Sequence, residues 1–276
     1  MTGLVRVFAV LGLAAVLGST VSPPTATAAE SPVPASMTAL GDSITRGFNA
    51  NGWYVDAPSR SWSAGGHASV NSHYLRIKAR NSAITGHNYN DARTGAKASA
   101  LPGQASSAVS RDVDYVTVLI GANDACTSTA STMTPVPTFR SYVDTAMNRL
   151  DSGLPDAKVL VVSIPDIRRL WQVGKDSWAA RTAWDSYGIC QSMLANPRST
   201  TEADVDRRAR VRQRVVNYNT QLAAECAQHA RCRYDGGAVF GYPFALSQLS
   251  SWDYFHPNTG GQAALARVSN VAGFGW

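Results

Sequence analysis

The chain has 276 residues, 45% hydrophobic and 16% charged, with a formal net charge of +6. That balance excludes an intrinsically disordered chain and suits one sizeable domain with a buried core. Beyond the N-terminus, no stretch approaches the ~20 apolar residues that cross a bilayer, so stable membrane insertion is not expected.

The N-terminus has the layout of a secretory signal peptide. Arg6 precedes an apolar run from Val7 to Leu17, followed by Pro23, Pro24 and the small-residue site Ala26-Thr27-Ala28. The run is short for a membrane anchor, and cleavage is expected after Ala28 or Ala29. This divides the chain into a signal peptide, 1–29, and a single domain, 30–276, that is secreted and monomeric.

Residues 29–36 form a Pro-, Ser- and Ala-rich leader into the domain. Met37 to Leu40 is a brief apolar run ending on Gly41-Asp42-Ser43, the pattern of a strand delivering a loop. Tyr115–Ile120 and Lys158–Ile164 are nearly continuous β-branched runs, which suit strands buried on both faces of a parallel sheet. Phe139 to Leu150 between them carries helical spacing through Tyr142, Val143 and Met147 and is stopped by Gly153 and Pro155. Strand, helix and strand in that order make a βαβ crossover and indicate an α/β fold.

Residues 166–197 show little periodicity but hold Trp171, Trp178, Trp184 and Tyr187. Aromatics in a long connection either line a pocket or anchor an irregular loop. The spacing next predicts a long amphipathic helix from Ser199 to His229, with Ser199 and Glu202 as a capping box and Val205, Ala209, Val215, Tyr218, Leu222 and Cys226 inward. A last helix is expected over about 260–272, with Ala264, Leu265, Val268 and Val271 inward.

Cys126, Cys190, Cys226 and Cys232 are even in number, and export exposes them to an oxidising environment. Three disulfide pairings are open. Cys226 and Cys232 are close enough to close a small loop at a helix end, which would leave Cys126 with Cys190. No C-x-x-C occurs and the histidines are scattered, so no metal site is expected. The basic cluster Arg207, Arg208, Arg210, Arg212 and Arg214 is mixed with Asp204 and Asp206. It reads as a solvated helix face, and no nucleic-acid partner is expected.

Four short segments together supply what acyl transfer needs: a nucleophile, a base, a group that orients the base, and oxyanion donors. Gly41-Asp42-Ser43-Ile44 places a serine just past a strand end. In Asp253-x-x-His256-Pro257, an Asp three residues before a His can accept a hydrogen bond from its ring and fix the tautomer. Gly121-Ala122-Asn123-Asp124, directly after the strongest strand, offers an amide donor. Ala92-Arg93-Thr94-Gly95-Ala96 offers a backbone N–H at a glycine.

Singly these are ordinary turn residues. In this order, spanning about residues 37–270, they resemble the SGNH hydrolases, also called GDSL-type lipases and esterases, with Ile44 where that name has Leu. The resemblance implies Ser43 as nucleophile, His256 as base and Asp253 as its orienting residue. It further implies an oxyanion hole of Ser43 N–H, Gly95 N–H and the Asn123 side chain; Gly86 and Gly103 are the alternatives to Gly95. The implied fold is a three-layer α/β/α sandwich, flavodoxin-like, around a central parallel sheet of about five strands.

The implied activity is cleavage of carboxylic esters through an acyl-enzyme. The partner is a small-molecule, lipid or acylated-carbohydrate ester, and no cofactor motif is present. Carbohydrate O-acetyl ester cleavage is the main rival, with phospholipase action suggested by Ser61-Trp62-Ser63 and non-catalytic binding a more distant reading. The G-x-S-x-G elbow of the α/β-hydrolases is absent.

Overall fold

A computed structural model describes residues 1–4, 8 and 32–276; Val33–Trp276 is the unit considered below. The expected signal peptide lies almost wholly outside the described residues. Five strands, β1 (Met37–Gly41), β2 (Asn88–Asn90), β3 (Tyr115–Leu119), β4 (Lys158–Val161) and β5 (Cys232–Tyr234), form one sheet in the order β2-β1-β3-β4-β5. Every pairing is parallel, and β1 meets β3 in register from Met37 opposite Tyr115 to Gly41 opposite Leu119. Every residue of β1 and β3 is buried, which is why neither strand alternates in sequence.

The helices between and after the strands are α1 (Ser43–Arg46), α2 (His73–Arg80), α3 (Leu101–Arg111), α4 (Ala122–Ala125), α5 (Val136–Gly153), α6 (Ile167–Gly174), α7 (Trp178–Ser186), α8 (Gln191–Leu194), α9 (Glu202–Cys226), α10 (Ala238–Gly241) and α11 (Thr259–Ala272). Helix α5 packs between α3 and α9. Phe139 of α5 stacks on Tyr218 of α9 at 4.2 Å between centroids, a pairing worth about 0.5–1.5 kcal/mol beyond burial.

Helices α2 and α11 are tied to β3 by a buried relay. Ser269 donates to the Leu265 carbonyl and so accepts from His73 Nε2 at 2.8 Å, while the Tyr115 hydroxyl donates to His73 Nδ1 at 3.0 Å. That pattern requires a neutral His73, and burial pushes its pKa down to about 3.

Four expectations are corrected. Helix α9 begins at Glu202 behind Thr201, and Ser199 lies outside it without capping its first turn. Val205 and Ala209 of α9 and Val271 of α11 face solvent; the buried stripe of α9 runs through Arg208, Val211, Val215, Tyr218 and Leu222. Of the five arginines only Arg210 is exposed, so the cluster is not the solvated face expected. Arg208 is buried with its guanidinium 4.6 Å from the Trp171 ring, and Arg207 donates to the carbonyls of Gln191, Ser192 and Ala195. Arg212 pairs with Asp166 at 2.9 Å and Arg214 donates to the Met133 and Thr134 carbonyls.

Residues 166–197, finally, are largely helical. Asp166 and Ser177 cap α6 and α7 by accepting from Arg168 N–H and Ala180 N–H. Of the aromatics there, Trp184 is buried and Trp171 half-buried, whereas Trp178 and Tyr187 are exposed, so the segment is anchored mainly by its first and third tryptophans.

Two disulfides join Cys126 to Cys190 and Cys226 to Cys232. The first fastens the end of α4 to the start of α8; the second closes the link from α9 to β5. Among the described residues, no helix is long and apolar enough to cross a membrane.

Candidate active site

The strand order reverses direction between β1 and β3, and in an open parallel sheet such a switch point leaves a crevice at the carboxyl ends of the strands. Ser43 follows β1 and Asn123 follows β3, so the two sequence blocks meet at that crevice. Gly41 must be glycine: its φ is +147°, and a Cβ would lie 2.2 Å from the Leu119 carbonyl oxygen. Asp42 then caps α1 by accepting from Ile44 N–H at 2.9 Å, which sets Ser43 at the first helical position.

His256 arrives on a loop fastened at several points. Leu249 and Pro257 form an antiparallel bridge, and Ser250 N–H donates to the His256 carbonyl. Trp184 Nε1 donates to the Tyr254 carbonyl at 3.1 Å. Asn258 caps α11 while its amide also donates to the Ser247 and Leu249 carbonyls. Gln262 of α11 accepts from Trp62 N–H and donates to the Ile44 carbonyl, locking the helix after His256 to the helix that carries Ser43.

The result is a continuous line of hydrogen bonds. His256 Nε2 lies 2.8 Å from Ser43 Oγ, and His256 Nδ1 lies 2.5 Å from Asp253 Oδ2. An ionised Asp253 accepts the Nδ1 proton, which leaves Nε2 as the acceptor facing the serine hydroxyl. Asp253 Oδ1 also accepts from the N–H groups of Phe255 and His256. Burial opposes the Asp253 charge, but the hydrogen bond and charge of His256 and these two N–H groups hold its carboxyl below the ordinary aspartate range.

Asn123 Nδ2 donates to the Ala96 carbonyl at 2.9 Å, which sets the amide beside the turn containing Gly95. Gly95 is exposed, with φ +79°. An amide carries two N–H groups, so a second donor remains on Asn123. Arg93 N–H donates to the Gly41 carbonyl, and Asp124 accepts from Ala98 N–H at 2.8 Å, so the Gly95 turn is held to both β1 and α4. Asp42 is fully buried, and burial pushes its carboxyl up to about 7, with the N–H of Ile44 and the charge of His256 pulling the other way. Its Oδ2 and Asp124 Oδ1 have no hydrogen-bond partner among the described residues.

A pocket of about 50 Å³ is lined by Ile44, Ala122, Phe255 and Pro257, the chain neighbours of Ser43, Asn123 and His256, together with Pro165, Ile167, Leu170, Val173, Phe244 and Leu249 and the charged Asp166 and Arg169. Three residues of the site were not marked by any sequence signal: Asn49, which donates to Asp253 at 2.6 Å; Gln104, which exchanges two hydrogen bonds with Gly41; and Gln262. Each is a buried amide whose partner, backbone or carboxylate, is brought to it only by the fold.

A five-stranded parallel sheet in flavodoxin-like order, with polar groups gathered at its switch point, defines an α/β protein of the SGNH type. The chain belongs to the GDSL-like lipase/acylhydrolase family, whose model matches residues 37–268. Among solved structures it is similar to an extracellular lipase from Streptomyces rimosus, at 19% identity and a TM-score of 0.50, over 86% of this chain and 99% of that one. It is also similar to a family 3 carbohydrate esterase of Clostridium thermocellum, at 12% identity and a TM-score of 0.48, over 86% of this chain and 93% of that one. A phospholipase A1 from Streptomyces albidoflavus is 18% identical, with a TM-score of 0.47 over 86% of this chain and 99% of that one. At 19% identity, the likeness to the Streptomyces rimosus lipase shows the fold alone. No curated protein matches the sequence.

Proposed function

We propose that the protein is a secreted esterase that cleaves carboxylic esters through an acyl-enzyme on Ser43. The observation that carries this reading is the line from Ser43 Oγ through His256 to Asp253, with both bonds at hydrogen-bond distance. His256 takes the Ser43 proton as Oγ attacks the ester carbonyl, and Asp253 holds the ring and stabilises the imidazolium. The oxyanion is held by the N–H groups of Ser43 and Gly95 and by the Asn123 amide. His256 then returns the proton to the departing alcohol, and water cleaves the acyl-enzyme by the same steps.

The mostly apolar pocket lined by the chain neighbours of Ser43, Asn123 and His256 supports an acyl group with a hydrocarbon chain over acetate, and so an esterase or lipase over a carbohydrate O-acetyl esterase. Each methylene buried there contributes about 0.8 kcal/mol. Across a p-nitrophenyl series from acetate to palmitate, kcat/KM is expected to rise beyond acetate. Val173→Trp should abolish that rise while sparing acetate; an acetate-only profile in the wild type would favour deacetylation, and no turnover at all would favour the non-catalytic reading. Two disulfides suit export, since they form and persist in oxidising compartments. We assign residues 1–29 as the signal peptide and 30–276 as the mature domain.

A further inference from the structure

The loop from Gly47 to Val55 touches all three members of the proposed triad. Gly47, with φ +72°, ends α1 by donating to the Ile44 carbonyl, and Phe48 N–H donates to the Ser43 carbonyl. The Phe48 ring meets His256 edge-on at 4.9 Å. Asn49 is fully buried, and its Nδ2 donates to Asp253 Oδ2 at 2.6 Å, the same oxygen that accepts from His256 Nδ1.

Two features of Asn49 disfavour the folded chain unless the contact serves something. Its backbone is left-handed, with φ +62°, a region that Asn tolerates better than most residues but only glycine enters freely. Its Oδ1 is buried without a partner among the described residues. What the residue delivers in return is one charge-assisted bond to a carboxylate that has four donors in all.

We propose that Asn49 is a positioning residue for ester cleavage, a fourth member of the line that fixes the rotation of the Asp253 carboxylate and through it the His256 ring. This rests on the triad reading above. With Asn49 in place, Oδ2 is held between two donors and cannot swing away from Nδ1. Without it, the two backbone N–H groups on Oδ1 are the only restraints on the carboxylate apart from the imidazole itself, and the imidazole gains freedom to leave Ser43.

The test is a pair of variants that accept a left-handed backbone. Asn49→Gly removes the amide, and Asn49→Asp keeps its shape but replaces the donor. Hydrolysis by the wild type that is lost in Ser43→Ala establishes the triad first, so failure there is distinct from failure here. Each Asn49 variant is then expected to lower kcat roughly tenfold to a hundredfold with KM little changed, as loss of a bond to a charged group implies. In an Asp253→Ala background, Asn49→Gly should add almost nothing, because its effect passes through that carboxylate. The far-downfield proton resonance of the His256 Nδ1–H should shift or broaden in Asn49→Gly. Equal losses of kcat in both backgrounds, or a folded Asn49→Gly with wild-type kcat and an unmoved resonance, would overturn the proposal.

Discussion

Ser43 and His256 stand 213 positions apart in the chain and 2.8 Å apart in space, and the residues that close that gap each have a definable cost or gain. For Asn123, one oxyanion donor is worth ~2.7–4 kcal/mol in the transition state. Asn123→Ala is therefore expected to fold normally and lose roughly 100-fold or more in kcat. Steady-state kinetics beside a thermal melt check this, and near-normal turnover would remove Asn123 from the oxyanion hole.

Asp42 makes a prediction about pH. Its carboxyl is raised from 3.8 to about 7 by burial, so the folded protein holds that proton more tightly than the unfolded chain. The stabilising contribution is complete below pH 3.8 and is lost as pH rises through about 7. Asp42→Asn cannot titrate, and its Oδ1 can still cap Ile44. The stability of this variant relative to wild type should thus climb between about pH 4 and 8, read from melts across that range. Parallel curves would contradict a protonated Asp42. At this scale Gly41, Ser43, Asn123, Asp253 and His256 were legible because each lies in a short block with a chemical reason for its spacing. Asn49, Gln104 and Gln262 were not, since a lone amide acquires its role only when the fold sets a distant backbone group or carboxylate against it.

Among the elements, the strands read most clearly, because a fully buried parallel strand is a continuous apolar run. Each of the two long runs ended early in the structure, β3 at Leu119 and β4 at Val161, where the chain leaves the sheet for the switch-point loops. The helices of 166–197 were missed although Asp166 and Ser177 are both capping residues. Their inner faces carry tryptophans, a buried glycine and alanines in place of a regular aliphatic stripe. In α9, charge concealed the buried face: Arg208 is covered by Trp171, and Arg207 and Arg214 meet carbonyls of neighbouring segments, where a guanidinium's several donors can satisfy groups that no helix bond reaches.

The Cys126–Cys190 bridge belongs to this scale as well. It ties α4, which carries Asn123, to α8, reinforced by the Ser192 hydroxyl donating to the Ala125 carbonyl at 2.7 Å. Replacing both cysteines by alanine is expected to cost about 2–4 kcal/mol, seen as a lower denaturant midpoint. An unchanged midpoint would mean that packing alone holds α4 in place.

For the whole molecule, the place of the candidate site follows from topology. The order β2-β1-β3-β4-β5 puts the chain's three oxyanion candidates after β1, β2 and β3, three neighbouring strand ends, while the last loop before α11 brings His256 over the same edge. Strand order itself was not legible in the sequence; it followed from the family resemblance, while the βαβ pattern gave only a parallel sheet. The most direct test of Ser43 as nucleophile is covalent capture with a p-nitrophenyl alkylphosphonate, followed by intact-mass and peptide mass spectrometry. One adduct per chain on the peptide containing Ser43, absent from Ser43→Ala and accompanied by complete loss of ester hydrolysis, is the expected result. An adduct on another residue, or full hydrolysis by Ser43→Ala, would contradict it.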